Sequence, residues 1–331
     1  MKKNRKRLLL ILDLLLVLLI VGGVFLFQKR SEARERAAVG EEALNRRYVQ
    51  TVTLDGEEVA LKRGLTSVLL IGTDNFVDDA KQLEIEAFYN NNLADFLVVL
   101  VFDHSAHTVT PFQICRDTMC DVPWLSVNGL VGGTQWEQIT YAHTYGSGKE
   151  DSCVNTRNAV EGLLHGVPID HYFAFTMDAV PVANDLVGGV TVTLEDDIPA
   201  LGNEYVKGAH ITLKGQAALR FVRYRNIELI DDNLTRMAHQ RLYINAFTDA
   251  ARAAAAANPD LVTDAWRAVE KFLCTDLSVE NFTDMVNHLT DYELLPTVTP
   301  TGEYRLGEYA EYYMDPASLT AGIRSTFCKE Q

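Results

Sequence analysis

From position 67 onward, apolar residues come in short dense runs separated by polar segments. Residues 67–72 read SVLLIG, 96–103 read FLVVLVFD and 108–115 read TVTPFQIC. Runs of this length predict strands. The middle one is apolar at every position before its Asp, so it belongs at the centre of a sheet. Pro111 marks the third as an edge strand or a bulge. HYFAFT (171–176) and VTVTL (190–194) predict two more strands, the second entered through Gly188-Gly189. The helical period appears in NTRNAVEGLLHG, with Asn155 as N-cap and Gly166 as the C′ stop. It also appears in WEQITYAHTYG, in the segment leading to Leu186, and in the long run LTRMAHQRLYINAFTDAARAAAA. Residues 116–136 read as irregular, and KGQAALRFVRYR as a short helix followed by a strand. Two helices, around 263–273 and 279–289, complete the expectation. Alternating strands and helices predict an α/β domain, with a mixed central β-sheet flanked by helices. It spans 65–331 and is helical from about 250.

The first 27 residues follow a different rule. MKKNRKR is followed by LLLILDLLLVLLIVGGVFLF, residues 8–27, whose one charge is Asp13. Twenty residues at helical rise cover about 30 Å, a bilayer core. The basic flank predicts a cytoplasmic tail, 1–7, and an outward-facing remainder. The expected product is a single-pass protein of the cell membrane. A cleaved signal peptide is the rival reading; its apolar region is shorter and ends in small residues. Residues 28–64 are expected to form a stalk and a small hairpin around Asp55-Gly56.

The chain carries a formal net charge of -15. Five basic residues and a single acidic one lie in the first 27, so the rest is more acidic still. Such a surface repels nucleic acid. The five cysteines show no CxxC spacing and no zinc pattern. Outside the membrane disulfides are permitted, and the pairing expected is Cys120–Cys153 and Cys274–Cys328, with Cys115 buried in a strand; the alternative is that all five cysteines are free. No GxSxG, HExxH or GxxxxGK[ST] occurs. Trp124 and Trp136 read as core, and His143 as a packing residue.

Against that acidic background the stretch RFVRYRN, 220–226, stands out. If it is a strand, Arg223 and Arg225 share a face. Paired guanidiniums repel unless an anion lies between them, and Arg suits bidentate recognition of phosphate or carboxylate. Arg236 and Gln240, four apart on the next helix, face one way. If the three apolar runs form an antiparallel meander, Asp74, Asp95 and Arg116 meet at one rim. The set predicts a site for a multiply charged anion, with Mg²⁺ at Asp74 and Asp95. The alternative is that the arginines only pair with Glu228, Asp231 and Asp232.

On these segments the chain resembles the LytR-CpsA-Psr family of bacterial cell-wall proteins. The likeness is carried by SVLLIGTD, ADFLVVLVFD, QICRDT, GVPIDHYFAF, LVGGVTV, GQAALRFVRYR and DDNLTRMAHQR. It implies transfer of a glycopolymer, such as teichoic acid or capsule, from a polyprenyl-pyrophosphate lipid to peptidoglycan. It implies Mg²⁺ at Asp74 and Asp95, a pyrophosphate grip by Arg116, Arg223 and Arg225, and support from Asp232 (or Asp231), Arg236 and Gln240. A hydrophobic pocket between sheet and helices should hold the lipid tail. The chain departs from the family pattern at Cys115, where Pro is usual, at Phe96, at Gln138, where Lys is frequent, and in the Asp232–Arg236 spacing. Two other functions stay open: hydrolysis of a lipid pyrophosphate, and non-catalytic binding of anionic lipid. A seven-residue cytoplasmic tail is too short for a DNA-binding domain.

Overall fold

The computed structural model describes residues 49–74, 89–126, 129–226, 229–258, 260–307 and 309–329. The expected membrane span, 8–27, lies outside them. Among the described residues no helix is long and apolar enough to cross a membrane. The architecture below is that of the Gln50–Gln331 unit.

Asp55 and Gly56 both take positive φ, the backbone of a tight hairpin turn. They join β1 (Thr51–Leu54) to β2 (Glu57–Ala60), and Val52, Leu54 and Val59 enter the main core. The three apolar runs become β3 (Leu65–Thr73), β4 (Phe96–Asp103) and β5 (Thr108–Ile114), an antiparallel meander as expected. Alternation along them sorts the core into two. Leu69, Ile71, Leu97, Val99 and Val101 face one side of the sheet; Val68, Val98, Leu100 and Phe102 face the other.

Residues 116–136 are more regular than their composition predicts. They form a hairpin of β6 (Met119–Leu125) and β7 (Val131–Gln138). Gly132 allows the ring of Trp124 to lie across the pair; a Cβ there would overlap the indole. Trp124 and Trp136 are exposed, not core. The expected WEQITYAHTYG helix is the end of β7 followed by a 3₁₀ segment, Ile139–Thr144. Next, α1 (Glu150–Leu163) begins five residues before Asn155. Asn155 is buried inside it and donates to the Pro123 and Ala142 carbonyls at 2.7 and 2.8 Å, so it anchors a loop and caps nothing. The helix ends with His165 in the left-handed region, and the Gly166 N–H reaches back to the Glu161 carbonyl.

β8 (His171–Thr176) runs parallel to β3. Then come α2 (Ala179–Leu186), the β9 (Val190–Thr193) and β10 (His210–Leu213) hairpin, α3 (Gln216–Arg223), α4 (Asp232–Ala257) and α5 (Leu261–Val269). The expected arginine strand is therefore wrong. Residues 216–223 are helical because Ala218, Leu219, Phe221 and Val222 are buried on one side, three and four apart, while Arg220 and Arg223 face out. Tyr224 and Arg225 follow in irregular backbone.

β11 (Leu273–Thr275), α6 (Val279–Asp291) and β12 (Glu293–Leu294) complete a six-stranded mixed sheet of order β11-β8-β3-β4-β5-β12. The chain goes on beyond what its periodicity predicts, through β13 (Gly302–Leu306), β14 (Ala310–Met314) and α7 (Pro316–Phe327). Leu319, Ile323 and Phe327 of α7 close the same core that α1 covers. Ile244 of α4, Trp266 of α5, and Phe282 and Met285 of α6 cover the opposite face.

Candidate active site

The β4–β5 register pairs Leu97 with Ile114. Two residues further, Asp95 stands opposite Arg116 at the rim of the sheet, and the Asp95 N–H is tied to the Gly72 carbonyl at 2.8 Å. A guanidinium nitrogen of Arg116 donates to the Asp95 carboxylate, and its Nε donates to Asp117 at 3.1 Å. Arg236, one turn into α4, reaches the same Asp95 oxygen at 3.5 Å and its carbonyl at 3.4 Å. Asn233, one turn back, fixes Arg236 with its amide oxygen, at 3.0 Å from Nε and 2.6 Å from Nη2. One carboxylate thus joins two strands and a helix through two guanidiniums.

Burial alone would lower the pKa of Arg116, but Asp95 and Asp117 outweigh it and hold the group above its ordinary value. Arg236 goes the other way: burial and the neighbouring Arg116 and Arg225 charges lower it against the pull of Asp95. Both stay protonated at neutral pH. Arg225 reaches the start of α4, where its Nε lies 3.7 Å from Asp232. Arg223 meets Asp74 at 3.2 Å, with both side chains about half exposed. Gln240 sits apart from the charges: its amide donates to the Val222 carbonyl at 3.4 Å and its oxygen faces the Gln113 amide.

Sequence reasoning missed three supporting groups. Asp117 adjoins Arg116 and lies within the quoted QICRDT motif. Asn233 stands three residues before Arg236, the spacing that puts both on one helix face. Tyr304 donates to Asp117 at 2.9 Å from a hairpin that no periodicity announced. Among the described residues no group of three or more His, Cys, Asp or Glu is arranged to hold a metal ion. Asp74 and Asp95 offer hard carboxylate oxygens at the ends of neighbouring strands. That donor set fits an ion completed by phosphate oxygens and water, not an all-protein cage.

Beside the charges lies an apolar cavity of about 330 Å³, between the sheet and helices α2, α4, α5 and α6. Phe96, Leu100, Phe175, Val222, Ile244 and Phe247 are among its walls. Phe96 directly follows Asp95 and Val222 directly precedes Arg223, so the cavity begins where the charged cluster ends.

The expected disulfides do not form: all five cysteines are free thiols. Cys115 accepts from the Asn233 amide and contacts the Tyr304 hydroxyl, and burial pushes its thiol up to about 12. A low-pKa nucleophile beside Arg116 is thereby excluded.

The model of the LytR_cpsA_psr family matches residues 26–320. The chain belongs to that family. Over 288 residues it is 27% identical to a Bacillus cereus member named polyisoprenyl-teichoic acid–peptidoglycan teichoic acid transferase TagU, across 87% of this chain and 84% of that one. Among LytR_cpsA_psr structures, Bacillus subtilis TagT superposes with a TM-score of 0.57 at 20% identity, over 84% of this chain and 97% of that chain. Bacillus subtilis TagV gives 0.58 at 21% identity, over 80% and 96%. These two likenesses speak for the fold.

Proposed function

We propose that this protein is a membrane-anchored phosphotransferase that moves a glycopolymer from a polyprenyl-pyrophosphate carrier to peptidoglycan and releases polyprenyl phosphate. The observation that carries this reading is the junction of a guanidinium cluster with a predominantly apolar cavity. A lipid pyrophosphate has that same division: a doubly charged head on a hydrocarbon tail. The name of the Bacillus cereus relative supports the same substrate class.

In the free protein the arginines are partnered by carboxylates. Arg223 and Arg225 are the more exposed, and they can exchange Asp74 and Asp232 for phosphate oxygens. Arg116 and Arg236, held by Asp95, keep positive charge fixed at the rim as charge builds on the leaving phosphate. Asp74 and Asp95 would hold Mg²⁺, which supplies further neutralisation of the phosphates when bound. In this reading Asp232, 3.7 Å from Arg225, takes the proton of the attacking sugar hydroxyl. Release of lipid monophosphate by the purified full chain, with and without peptidoglycan, tests the reading. Turnover that needs the acceptor is the expected result, and Arg116→Ala should lower it at least a hundredfold, in the range seen when one such donor is removed. Turnover indifferent to peptidoglycan would make the protein a hydrolase. Full activity in an Arg223→Ala, Arg225→Ala double variant would sink both catalytic readings.

A further inference from the structure

The β6–β7 hairpin has two unlike faces. Alternation sends Cys120 and Val122 into the main core and puts Asp121 and Trp136, a directly opposed pair, on the outer side. The two tryptophans differ accordingly. Trp124 lies over Gly132 within the hairpin, whereas Trp136 is 57% exposed. The β13–β14 hairpin stands beside this outer side. The Tyr312 N–H donates to the Asp117 carbonyl at 2.9 Å, and the Gln138 amide donates to the Ala310 carbonyl at 2.8 Å. Gln138 shares its face with Trp136, two residues away, so that face of β7 is turned toward β14. Tyr304 and Tyr312 pack inward with Cys115. Glu303, Arg305, Glu311 and Tyr313 alternate with them and face out. The Arg305 guanidinium lies over the Tyr313 ring, 4.4 Å from its centre, and the Tyr313 hydroxyl donates to Glu311 at 2.7 Å.

We propose that Trp136 and the Arg305–Tyr313 stack form a saccharide-binding shelf, whose ligand is the uncharged amino-sugar strand of peptidoglycan. The chemistry of the shelf selects that occupant. An exposed indole offers a flat apolar face to the C–H face of a pyranose ring, and the stacked Tyr313 and Arg305 extend it with a second planar surface. The carboxylates of Asp121, Glu303 and Glu311 can accept from sugar hydroxyls and from acetamido N–H groups. Among the described residues of the shelf, carboxylates outnumber the one guanidinium, on a chain of net charge -15. A phosphate-rich glycopolymer and an anionic bilayer are both repelled by such a surface, whereas an uncharged glycan is not.

The position suits an acceptor. The Thr140 N–H donates to the Arg116 carbonyl at 3.0 Å, and Tyr304, on the inner side of β13, donates to Asp117. Trp136 stands four residues before Thr140, so their Cα atoms are at most about 14 Å apart. A glycan seated on the shelf is thus held close to the rim that carries the arginines. Its role as the acceptor rests on the transfer reading above; the binding of an amino-sugar strand does not.

Binding is tested on the purified full chain with no lipid carrier present. Tryptophan fluorescence is followed during titration with an N-acetylglucosamine tetramer, and co-sedimentation is measured with peptidoglycan stripped of attached polymer. The expected result is a saturable fluorescence change in the wild type that Trp136→Ala abolishes. Tyr313→Ala keeps the indole as reporter and should weaken the tetramer about fivefold, the scale of one lost aromatic contact. Trp136→Ala should weaken sedimentation with peptidoglycan by about the same factor, and Trp136→Phe should recover part of it. Absence of a saturable change with the tetramer, or wild-type sedimentation of Trp136→Ala, would overturn the proposal. So would a fluorescence response to phosphatidylglycerol vesicles in place of the sugar, which would assign the face to a bilayer, or a dimer that Trp136→Ala dissociates, which would assign it to a second copy. Because the assay contains no donor, failed transfer would leave a positive binding result standing, and failed binding would leave the reading of the arginine cluster untouched.

Discussion

Asp95 has two guanidiniums on one carboxylate, and that fixes what its substitution should do. Asp95→Asn leaves Arg116 and Arg236 facing each other with no negative charge between them. Breaking a pair this buried costs about 3 kcal/mol, more than the pair is worth over an apolar replacement. The denaturation midpoint should fall accordingly, and transfer should drop with it. A variant with wild-type stability would show that solvent already screens these charges. A second expectation concerns His143, which is fully buried and pushed down to about 4 by that burial. The unfolded chain takes up a proton near the ordinary histidine value of about 6.5, and the native chain does not until about pH 4. Stability therefore rises with pH across that window, and on the order of 3 kcal/mol is lost as pH falls through it. Measuring unfolding at pH 7.5 and 4.5 in wild type and His143→Gln isolates this contribution: the variant should lose less on acidification. At this scale much of the site was legible. Asp95 and Arg116 follow from the meander register, because side chains at matched strand ends must meet. Asp117 and Tyr304 were not legible, since one looked like a neighbour of the important residue and the other is folded back from nearly two hundred positions away.

The elements explain why the arginine cluster was read correctly for charge and wrongly for shape. Phe221, Val222 and Tyr224 are good strand formers, and a window confined to 220–226 alternates well enough. Including Ala217 and Ala218 changes the answer, because burial then recurs at three and four residues and α3 results. Arg223 ends that helix and Arg225 lies beyond it, so they reach different carboxylates, Asp74 and Asp232. The β6–β7 hairpin was missed because Pro123 and the Gly132-Gly133 pair signal irregular chain. Here the glycines serve instead to admit the Trp124 ring. Close packing of strands also makes a testable point at Gly72. An added Cβ would sit 2.8 Å from the Phe96 Cβ, where β3 meets β4 next to Asp95. Gly72→Ala should cost about 1–3 kcal/mol through overpacking. Because the Asp95 N–H bonds to the Gly72 carbonyl, the same change should lower kcat by displacing the carboxylate. Loss of stability with unchanged kcat would mean the rim absorbs the shift.

The whole molecule divides its work between an edge and a face of one sheet. The edge gathers charge from β4, the residues after β5, and the start of α4; the face toward α4, α5 and α6 leaves an apolar space. That division was only half visible in the sequence, because a cavity is a property of how helices of given length and side-chain size fail to fill a face. It predicts that head and tail recognition can be separated. Ala183, on α2, lines the cavity far along the sequence from every arginine of the cluster. Ala183→Phe projects a ring into space that the hydrocarbon would occupy. Each methylene kept out of the cavity forfeits about 0.8 kcal/mol, so excluding only two costs roughly tenfold in affinity. KM for a long-chain polyprenyl carrier should rise at least that much, while turnover of a short-chain pyrophosphate analogue stays at the wild-type level. Stability should hold or improve, because the ring fills a void and displaces no packed side chain. An equal loss on both substrates would mean that the ring had disturbed the arginines, and that head and tail sites are one packed unit.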